Sequence, residues 1–194
     1  MSGRSSETVN ARETLLDALR TDGLVIGEVT LASGRTAQYY VDARRALLRP
    51  AAFRAAGELV AGEARRLGAA AVGGPTLGAD PVACSVLAAA DELKAFIVRK
   101  ERKEHGLQRW IEGPAIEPGE RVLIVEDVVT SGGSLVSAIE RVREEGVEIA
   151  GALAVLDRLA NGRQAIEQAL GGGLPYVALL TIDDVYPDRP DRDS

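Results

Sequence analysis

Two carboxylates follow a run of apolar residues in the segment VLIVEDVVTSGGS, residues 122–134, and hydroxyls and glycines come directly after them. Glu126 and Asp127 can accept hydrogen bonds from sugar hydroxyls, whereas they would repel a bare phosphate. The turn TSGGS, residues 130–134, offers hydroxyls, and its glycines let the backbone approach a ligand closely. The segment therefore predicts a site for a phosphorylated sugar.

A helix is predicted directly after this turn, over SLVSAIERVREE. The first amides of a helix have no partner within it, and its N-terminus attracts anions, so turn and helix together form a cradle for a phosphate. Neither a Walker loop nor the GxGxxG spacing of a dinucleotide site is present. The alternative is an ordinary polar connection after a buried strand. The order of strand, acid pair, turn and helix favours the ligand site.

A basic run, RKERKEHG, occupies residues 99–106 and ends with the sole histidine, His105, and a glycine. Its cations are Arg99, Lys100, Arg102 and Lys103. Such a run is often a solvated face, but here it follows a predicted strand of a chain that already has a phosphate cradle. Cations that close over a departing phosphate group would stabilise its growing charge. Trp110, just beyond the run, is predicted to pack against its end.

Two further segments follow predicted strands. The backbone of Gly74, Pro75 and Thr76 can bind a diphosphate through amides, although a simple glycine turn would look the same. Arg158 comes directly after Asp157. Its guanidinium can grip a substrate carboxylate through two parallel hydrogen bonds, or it can form an ion pair with Asp157 or another acid.

The elements that must position these residues alternate along the chain. Helical spacing appears in ETLLDALR and again from Pro50 onward. Short apolar runs alternate with the helices, and being apolar at successive positions they suit strands that are covered on both faces. The runs are AAAVGG (69–74), AFIVRK (95–100), RVLIVED (121–127), IAGALAVLD (149–157) and YVALLTI (176–182). The pattern predicts an α/β fold with a mostly parallel sheet, whose ligands bind beyond the carboxyl ends of the strands.

One domain is expected over residues 1–194. Its predicted parts are a small hood at about residues 1–45, formed by a hairpin in VIGEVTLASGRTAQYYVD, a core at about 46–182 and a tail at about 183–194. The tail mixes acids, arginines and prolines without apolar periodicity, so we expect it to fray.

Composition limits the partners. With 23 basic and 29 acidic side chains the formal charge is −6, which disfavours a nucleic-acid partner bound through general electrostatics. The single cysteine, Cys84, excludes an internal disulfide and is predicted to be a small core residue. No apolar run is long enough to span a membrane, and the first residues lack the apolar core of a signal peptide. A cytoplasmic location is expected.

The segment at residues 122–134 resembles, at every position, the motif by which type I phosphoribosyltransferases bind 5-phosphoribosyl 1-diphosphate (PRPP). VRKERKEHG, residues 98–106, is similar to the catalytic loop of the orotate-specific branch of that family. TLASGRTAQYYVD, GGPTLGADPVA and VLDRLANG resemble, in order, its hood, pyrophosphate loop and orotate-side segment. The resemblance extends over roughly residues 15–182.

The resemblance implies a type I phosphoribosyltransferase fold, Mg²⁺ as cofactor, and a homodimer in which the basic loop is shared between subunits. It implies transfer of the phosphoribosyl group from PRPP to orotate in pyrimidine biosynthesis, giving orotidine 5'-monophosphate and pyrophosphate. The catalytic residues would be Lys103, His105 and Asp127. The PRPP-binding residues would be Arg99, Lys100, Lys103, His105, Glu126, Asp127, Val128, Val129, Thr130, Ser131, Gly132, Gly133 and Ser134. The pyrophosphate loop would comprise Gly74, Pro75 and Thr76, and orotate would contact Thr130 and Arg158.

Some alternatives stay open at this point. Either Lys103 or His105 can donate the proton to the leaving oxygen. Many relatives carry lysines where this chain has Ala32 and either Thr76 or Leu77, so some diphosphate contacts must differ. The PRPP motif by itself also fits a phosphoribosyltransferase for purines, and a PRPP-sensing regulator that binds nucleic acid is the candidate of another class. An acidic chain without room for a helix-turn-helix argues against the regulator.

Overall fold

The computed structural model describes residues 3–30, 34, 36–102 and 110–192. Across these ranges, no helix combines the length and the apolar character that crossing a membrane requires. Ala32, Lys103 and His105 lie outside the described residues, so the predictions made for them remain predictions.

Helices and strands alternate through most of the described chain. The helices are α1 (Gly3–Ala18), α2 (Ala43–Leu47), α3 (Pro50–Leu67), α4 (Asp80–Ser85), α5 (Gly133–Glu144), α6 (Gly162–Leu170) and α7 (Ile182–Val185). The strands are β1 (Leu24–Thr30), β2 (Thr36–Val41), β3 (Ala71–Pro75), β4 (Lys94–Val98), β5 (Ile111–Glu112), β6 (Arg121–Val129), β7 (Glu148–Asp157) and β8 (Tyr176–Thr181).

The main sheet has the strand order β5-β4-β3-β6-β7-β8. The strands from β4 to β8 in this order are parallel to their neighbours, and only the short edge strand β5 is antiparallel. The predicted mostly parallel sheet is therefore confirmed, and each of the five apolar runs forms a strand. Strand β5 was not predicted, because two residues carry no periodic pattern.

The sheet is covered on both faces, which explains why its central strands are apolar at successive positions. Leu123 and Val125 of β6 belong to a core shared with α1, α3 and α4. The alternate residues Val122 and Ile124 belong to a second core shared with α5 and α6. Strand β6 also lies between two strands: β3 pairs with it as far as Ile124, and β7 pairs with it as far as Val129.

Helix α3 begins and ends as its sequence predicts. Pro50 occupies the first turn, where its missing N–H costs nothing. Gly68 ends the helix in the left-handed conformation, with φ at 67°, and its amide caps the last turn. The buried face of α3 packs on α1 and on the sheet, which fixes the amino-terminal part of the chain over the core.

The hood contains the predicted antiparallel hairpin. Strands β1 and β2 pair from Leu24 opposite Val41 to Thr30 opposite Thr36. The hairpin is followed by Asp42 and α2, which bring the hood back to the main sheet. Tyr40, Val41 and Asp42 thereby reach the carboxyl edge of that sheet.

Two expectations were wrong. The tail does not fray over residues 183–192. Helix α7 begins with a capping box between Thr181 and Asp184, and the side chain of Arg189 is only 8% exposed. Cys84 is exposed and not a core residue. Its neighbours Ala83 and Ser85 take the buried positions of α4, so the cysteine lies on the outer face of the helix.

Close contact between β3 and β6 depends on Gly74. A Cβ atom at this position would lie 1.9 Å from the carbonyl oxygen of Val125. We predict that Gly74→Ala lowers the free energy of unfolding by about 1–3 kcal/mol, as overpacking does. Gly62 is the matched control, since a Cβ there meets nothing within 4 Å.

Gly62→Ala should raise the free energy of unfolding by about 0.5–1 kcal/mol, because alanine is the better residue within a helix. Denaturant unfolding of the two variants checks the pair. A Gly74→Ala protein as stable as the parent would show that the two strands are not held at this separation.

Candidate active site

The turns that follow β3, β6 and β7 enclose a cavity of about 670 Å³ at the carboxyl edge of the sheet. The hood closes one side of it, and α5 closes another. This is the edge at which ligands bind in parallel α/β sheets. The lining residues are Tyr40, Val41, Asp42, Arg44, Pro75, Thr76, Leu77, Gly78, Lys100, Glu126, Asp127, Val128, Thr130, Gly133, Ser134, Ser137, Arg141 and Arg158.

The acid pair at the end of β6 lies in this cavity, as predicted. Glu126 is only 6% exposed, although a glutamate with an ordinary pKa is charged at neutral pH. Each carboxylate accepts a hydrogen bond from a neighbouring backbone amide: Asp127 N donates to Glu126 Oε1 at 3.3 Å, and Val128 N donates to Asp127 Oδ1 at 2.8 Å. Both groups keep oxygen lone pairs available for a ligand.

Burial makes it costly to charge this pair. Loss of water raises the pKa of Glu126 to about 9, and the neighbouring charge of Asp127 adds to the effect. Burial also raises the pKa of Asp127, although its hydrogen bond from Val128 and the nearby Arg44 act in the opposite direction. Such perturbed carboxyl groups in a cleft are characteristic of functional sites.

The predicted phosphate cradle is a separate lobe of about 240 Å³ next to the acid pair. It is lined by the whole segment Val128–Leu135 and by Glu126. Gly132 has φ at 80° and its carbonyl accepts the first helical hydrogen bond, from Val136 N at 2.9 Å. Since the amides that open α5 have no partner within the helix, they are left for an anion.

The turn after β3 starts later than the sequence suggested. Gly74 lies inside β3 and does not line the cavity, whereas Pro75 and Thr76 do. Thr76 Oγ1 donates to Asp80 Oδ2 at 2.8 Å, which holds the turn against α4. A Cβ atom at Gly78 would lie 2.4 Å from Asp127 Oδ1, so only glycine lets this turn approach the acid pair.

Of the cations in the basic run that the structure describes, some line the cavity and others do not. Lys100 lines the cavity, whereas Arg99 pairs with Glu112 at 3.2 Å, outside the lining. Two cations that the sequence analysis missed, Arg44 and Arg141, line the cavity as well. The spacing of Ser134, Ser137 and Arg141 on one face of α5 is a signal that could have revealed the second of them.

Trp110 anchors the far end of the basic run, as predicted. Its indole Nε1 donates to Glu144 Oε2 at 2.8 Å, and the guanidinium groups of Arg102 and Arg141 lie over its ring at 5.3 and 4.8 Å. Arg141 in turn donates to the carbonyl of Arg99 at 3.0 Å. The segment on each side of residues 103–109 is thus attached to α5, beside the cavity.

Arg158 is brought to the cavity by the end of β7. Its amide donates to the carbonyl of Val129 at 2.9 Å, which places it next to Thr130. Of the predicted ion-pair alternatives, the one with Asp157 does not form, because Asp157 accepts hydrogen bonds from Tyr176 and from the amide of Leu159. The one with another acid does, since Nη2 of Arg158 lies 3.9 Å from Oδ2 of Asp191. The Nε of Arg158 is buried and has no hydrogen-bond partner among the described residues. Because Arg158 also lines the cavity, a ligand there can contact its guanidinium.

Comparison with known proteins agrees with this geometry. The family model described as "Phosphoribosyl transferase domain" matches residues 46–169. An orotate phosphoribosyltransferase from Corynebacterium glutamicum is 43% identical over 182 residues, which cover 93% of this chain and 97% of the relative.

Two solved structures of orotate phosphoribosyltransferase from Mycobacterium tuberculosis are also similar. The complex with Fe(III) dicitrate has a TM-score of 0.81 and 42% identity, and covers 91% of this chain and 99% of its own. The complex with PRPP has a TM-score of 0.76 and 38% identity, and covers 90% and 98%. The similarity therefore extends over about nine-tenths of the chain.

The raised pKa of Glu126 leads to a prediction about pH. The folded protein holds this proton more tightly than the unfolded chain, so stability falls as pH rises from the ordinary value of 4.5 toward about 9. Glu126→Gln removes the cost of placing a charge at this buried position, because glutamine does not ionise. Its free energy of unfolding should exceed that of the wild type at about pH 9 and nearly equal it at about pH 5.

Unfolding at both pH values, without ligand, provides the measurement. Glu148→Gln is the control, since Glu148 is an exposed residue at the start of β7 and should change neither value. A Glu126→Gln protein with the same pH dependence as the wild type would contradict the burial of this charge.

Proposed function

Since the chain belongs to the orotate phosphoribosyltransferases of the type I phosphoribosyltransferase family, we propose that the cavity at the carboxyl edge of the sheet is their active site in this protein. The enzyme transfers the 5-phosphoribosyl group of PRPP to orotate in pyrimidine biosynthesis. A bond forms between N1 of orotate and the anomeric carbon of ribose, and the bond from that carbon to diphosphate breaks. The observation that carries the assignment is the adjacency of the acid pair, the phosphate cradle and the guanidinium of Arg158.

Each part of PRPP has a matching surface. The 5-phosphate fits the lobe formed by residues 130–134, where the opening amides of α5 supply donors. Glu126 also lines this lobe, but its pKa of about 9 keeps it protonated near neutral pH, so it does not repel the phosphate. The ribose hydroxyls donate to Glu126 and Asp127, which have unused oxygen lone pairs. An oxocarbenium-like centre at the anomeric carbon is then stabilised by the negative charge of Asp127.

The diphosphate lies toward the turn after β3. Pro75, Thr76 and Gly78 line this side of the cavity, and Lys100 faces it from the end of β4. Positive charge there stabilises the leaving group as its negative charge grows. Lys103 and His105 are proposed to complete this set, and either can protonate the leaving oxygen. Arg44 and Arg141 are proposed to take part of the role that lysines have in other relatives at the positions of Ala32 and of Thr76 or Leu77.

Mg²⁺ fits this site as a companion of the substrate. Within the described ranges no group of three or more His, Cys, Asp or Glu side chains is arranged to hold a metal ion. Mg²⁺ retains water readily and binds phosphate oxygens well. Oxygens of the diphosphate and the ribose, together with water, would therefore supply most of its ligands, at a position near Asp127. The bound ion would add positive charge at the leaving diphosphate.

Orotate differs from uracil by a carboxylate, and Arg158 is its proposed partner. The guanidinium lines the cavity beside Thr130, and its Nε has no hydrogen-bond partner among the described residues. A planar guanidinium can form two parallel hydrogen bonds with a carboxylate, which gives geometric selectivity as well as affinity. A purine base has no carboxylate, so a purine substrate would not give Arg158 this partner.

Arg158→Ala tests the base site. Because only orotate carries the carboxylate, KM for orotate should rise on the order of a hundredfold while KM for PRPP changes little. Arg66→Ala, on the exposed face of α3 and paired with Glu63, is the control. Steady-state kinetics with both substrates give the answer. Equal losses for orotate and PRPP would reject the assignment, and Arg158→Lys should recover only part of the affinity.

The homodimer with shared basic loops gives another prediction. Lys103→Ala in the loop and Asp127→Asn in the sugar site are unfolded together and refolded as an equal mixture. Half of the dimers are hybrids, and a loop that serves the neighbouring subunit gives each hybrid one intact site, so activity should return to about a quarter of the wild-type value. A loop that closes over its own subunit leaves one defect in every site. Absence of recovery, in a mixture in which mass spectrometry detects hybrids, would refute sharing.

A further inference from the structure

Arg158 has neighbours on the side away from the cavity. Its guanidinium lies over the ring of Tyr39, 4.8 Å from the ring centroid, and its Nη2 is 3.9 Å from Asp191 Oδ2. Arg158 lines the cavity, but Tyr39 and Asp191 do not. The arginine therefore has one side toward a ligand and the other toward these two residues.

Asp191 is held in place by several contacts. The hydroxyl of Tyr39 donates to its two carboxylate oxygens at 3.1 and 3.0 Å, and Arg189 Nε lies 3.2 Å from Oδ1. Arg189 is itself buried and paired with Asp183. Burial is the main cause that raises the pKa of Tyr39, so its hydroxyl stays protonated and remains a donor. The carboxylate thus has a fixed position behind Arg158.

The segment that carries Asp191 is attached to the amino-terminal helix. Arg12 pairs with Asp184 at 3.0 Å, and Arg20 donates to the carbonyl of the same residue at 2.6 Å. The ring of Tyr186 packs edge-to-face on Tyr39 with centroids 5.4 Å apart. These contacts make the last described residues part of the folded domain and not a loose extension.

The distances distinguish a supporting role from a competing one. At 3.9 Å, Asp191 attracts the guanidinium without accepting a normal hydrogen bond from it. Its oxygens are already used by Tyr39 and Arg189, and the Nε of Arg158 has no partner among the described residues. Asp191 therefore restrains Arg158 and leaves its donors available.

We propose that Asp191 is a positioning residue for base recognition: held by Tyr39 and Arg189, it fixes Arg158 in the orientation that receives the carboxylate of orotate. The inference rests on the proposed function, because it requires Arg158 to bind orotate. A long side chain loses rotational freedom when it binds a ligand, and an arginine that is already held loses less. The acidic carboxyl-terminal segment thereby contributes to the choice of base.

The test measures KM for both substrates. Asp191→Ala should raise KM for orotate about tenfold, as loss of an orienting partner does, and leave KM for PRPP unchanged. Tyr39→Phe keeps the ring beneath Arg158 but removes the hydroxyl that holds Asp191, so it should shift KM for orotate in the same direction by less. Asp188→Ala is the matched control, since Asp188 is an exposed acid of the same segment. Tyr39→Phe carries the test by itself if Asp191→Ala fails to fold.

A double variant separates this inference from the proposed function. Asp191→Ala added to Arg158→Ala should cause no further rise in KM for orotate, because the residue to be positioned is gone. Additive losses, or a lower KM for orotate in Asp191→Ala, would overturn the positioning role. If Arg158→Ala is selective for orotate and Asp191→Ala and Tyr39→Phe are not, only this inference fails. If Arg158→Ala is itself unselective, the proposed base site fails together with it.

Discussion

Two carboxylates taken out of water side by side, at the carboxyl end of β6, are the constraint on which the rest of the structure depends. Burial raises the pKa of both Glu126 and Asp127, so the empty protein gains no stability from charging them. The cores on the two faces of β6 must supply that stability. This accounts for a central strand that is apolar at every position from Val122 to Val125.

The neighbouring elements follow from the same constraint. The turn after β3 can reach the acid pair only because Gly78 has no side chain, and α5 can begin directly beyond it only because Gly132 takes a positive φ. Cations then surround the acids without neutralising them: Arg44 pairs mainly with Asp42, and Arg141 with the backbone of Arg99. The result is a cavity that presents both acidic and basic side chains, as the proposed binding of a phosphorylated sugar requires.

The sequence predicts those parts of the site that are contiguous in the chain. The acid pair, the cradle and the strands that carry them are local patterns, and Arg158 follows from its place after a strand. Arg44 and Asp191 could not be found in this way, because only tertiary packing brings the hood and the carboxyl-terminal segment to the cavity. The tail was misjudged for the same physical reason: its order comes from contacts with α1 and Tyr39, and composition does not record them. Lys103 and His105 rest on resemblance alone.

We propose that the charge of Asp127, at the end of β6, serves catalysis and lowers the stability of the folded protein. One variant tests it, because Asp127→Asn keeps the shape of the side chain and removes its charge. The account predicts a free energy of unfolding at neutral pH that is equal to or above that of the wild type, together with a kcat on the order of a hundredfold to a thousandfold lower. An active variant, or one that loses stability in parallel with activity, would contradict the account.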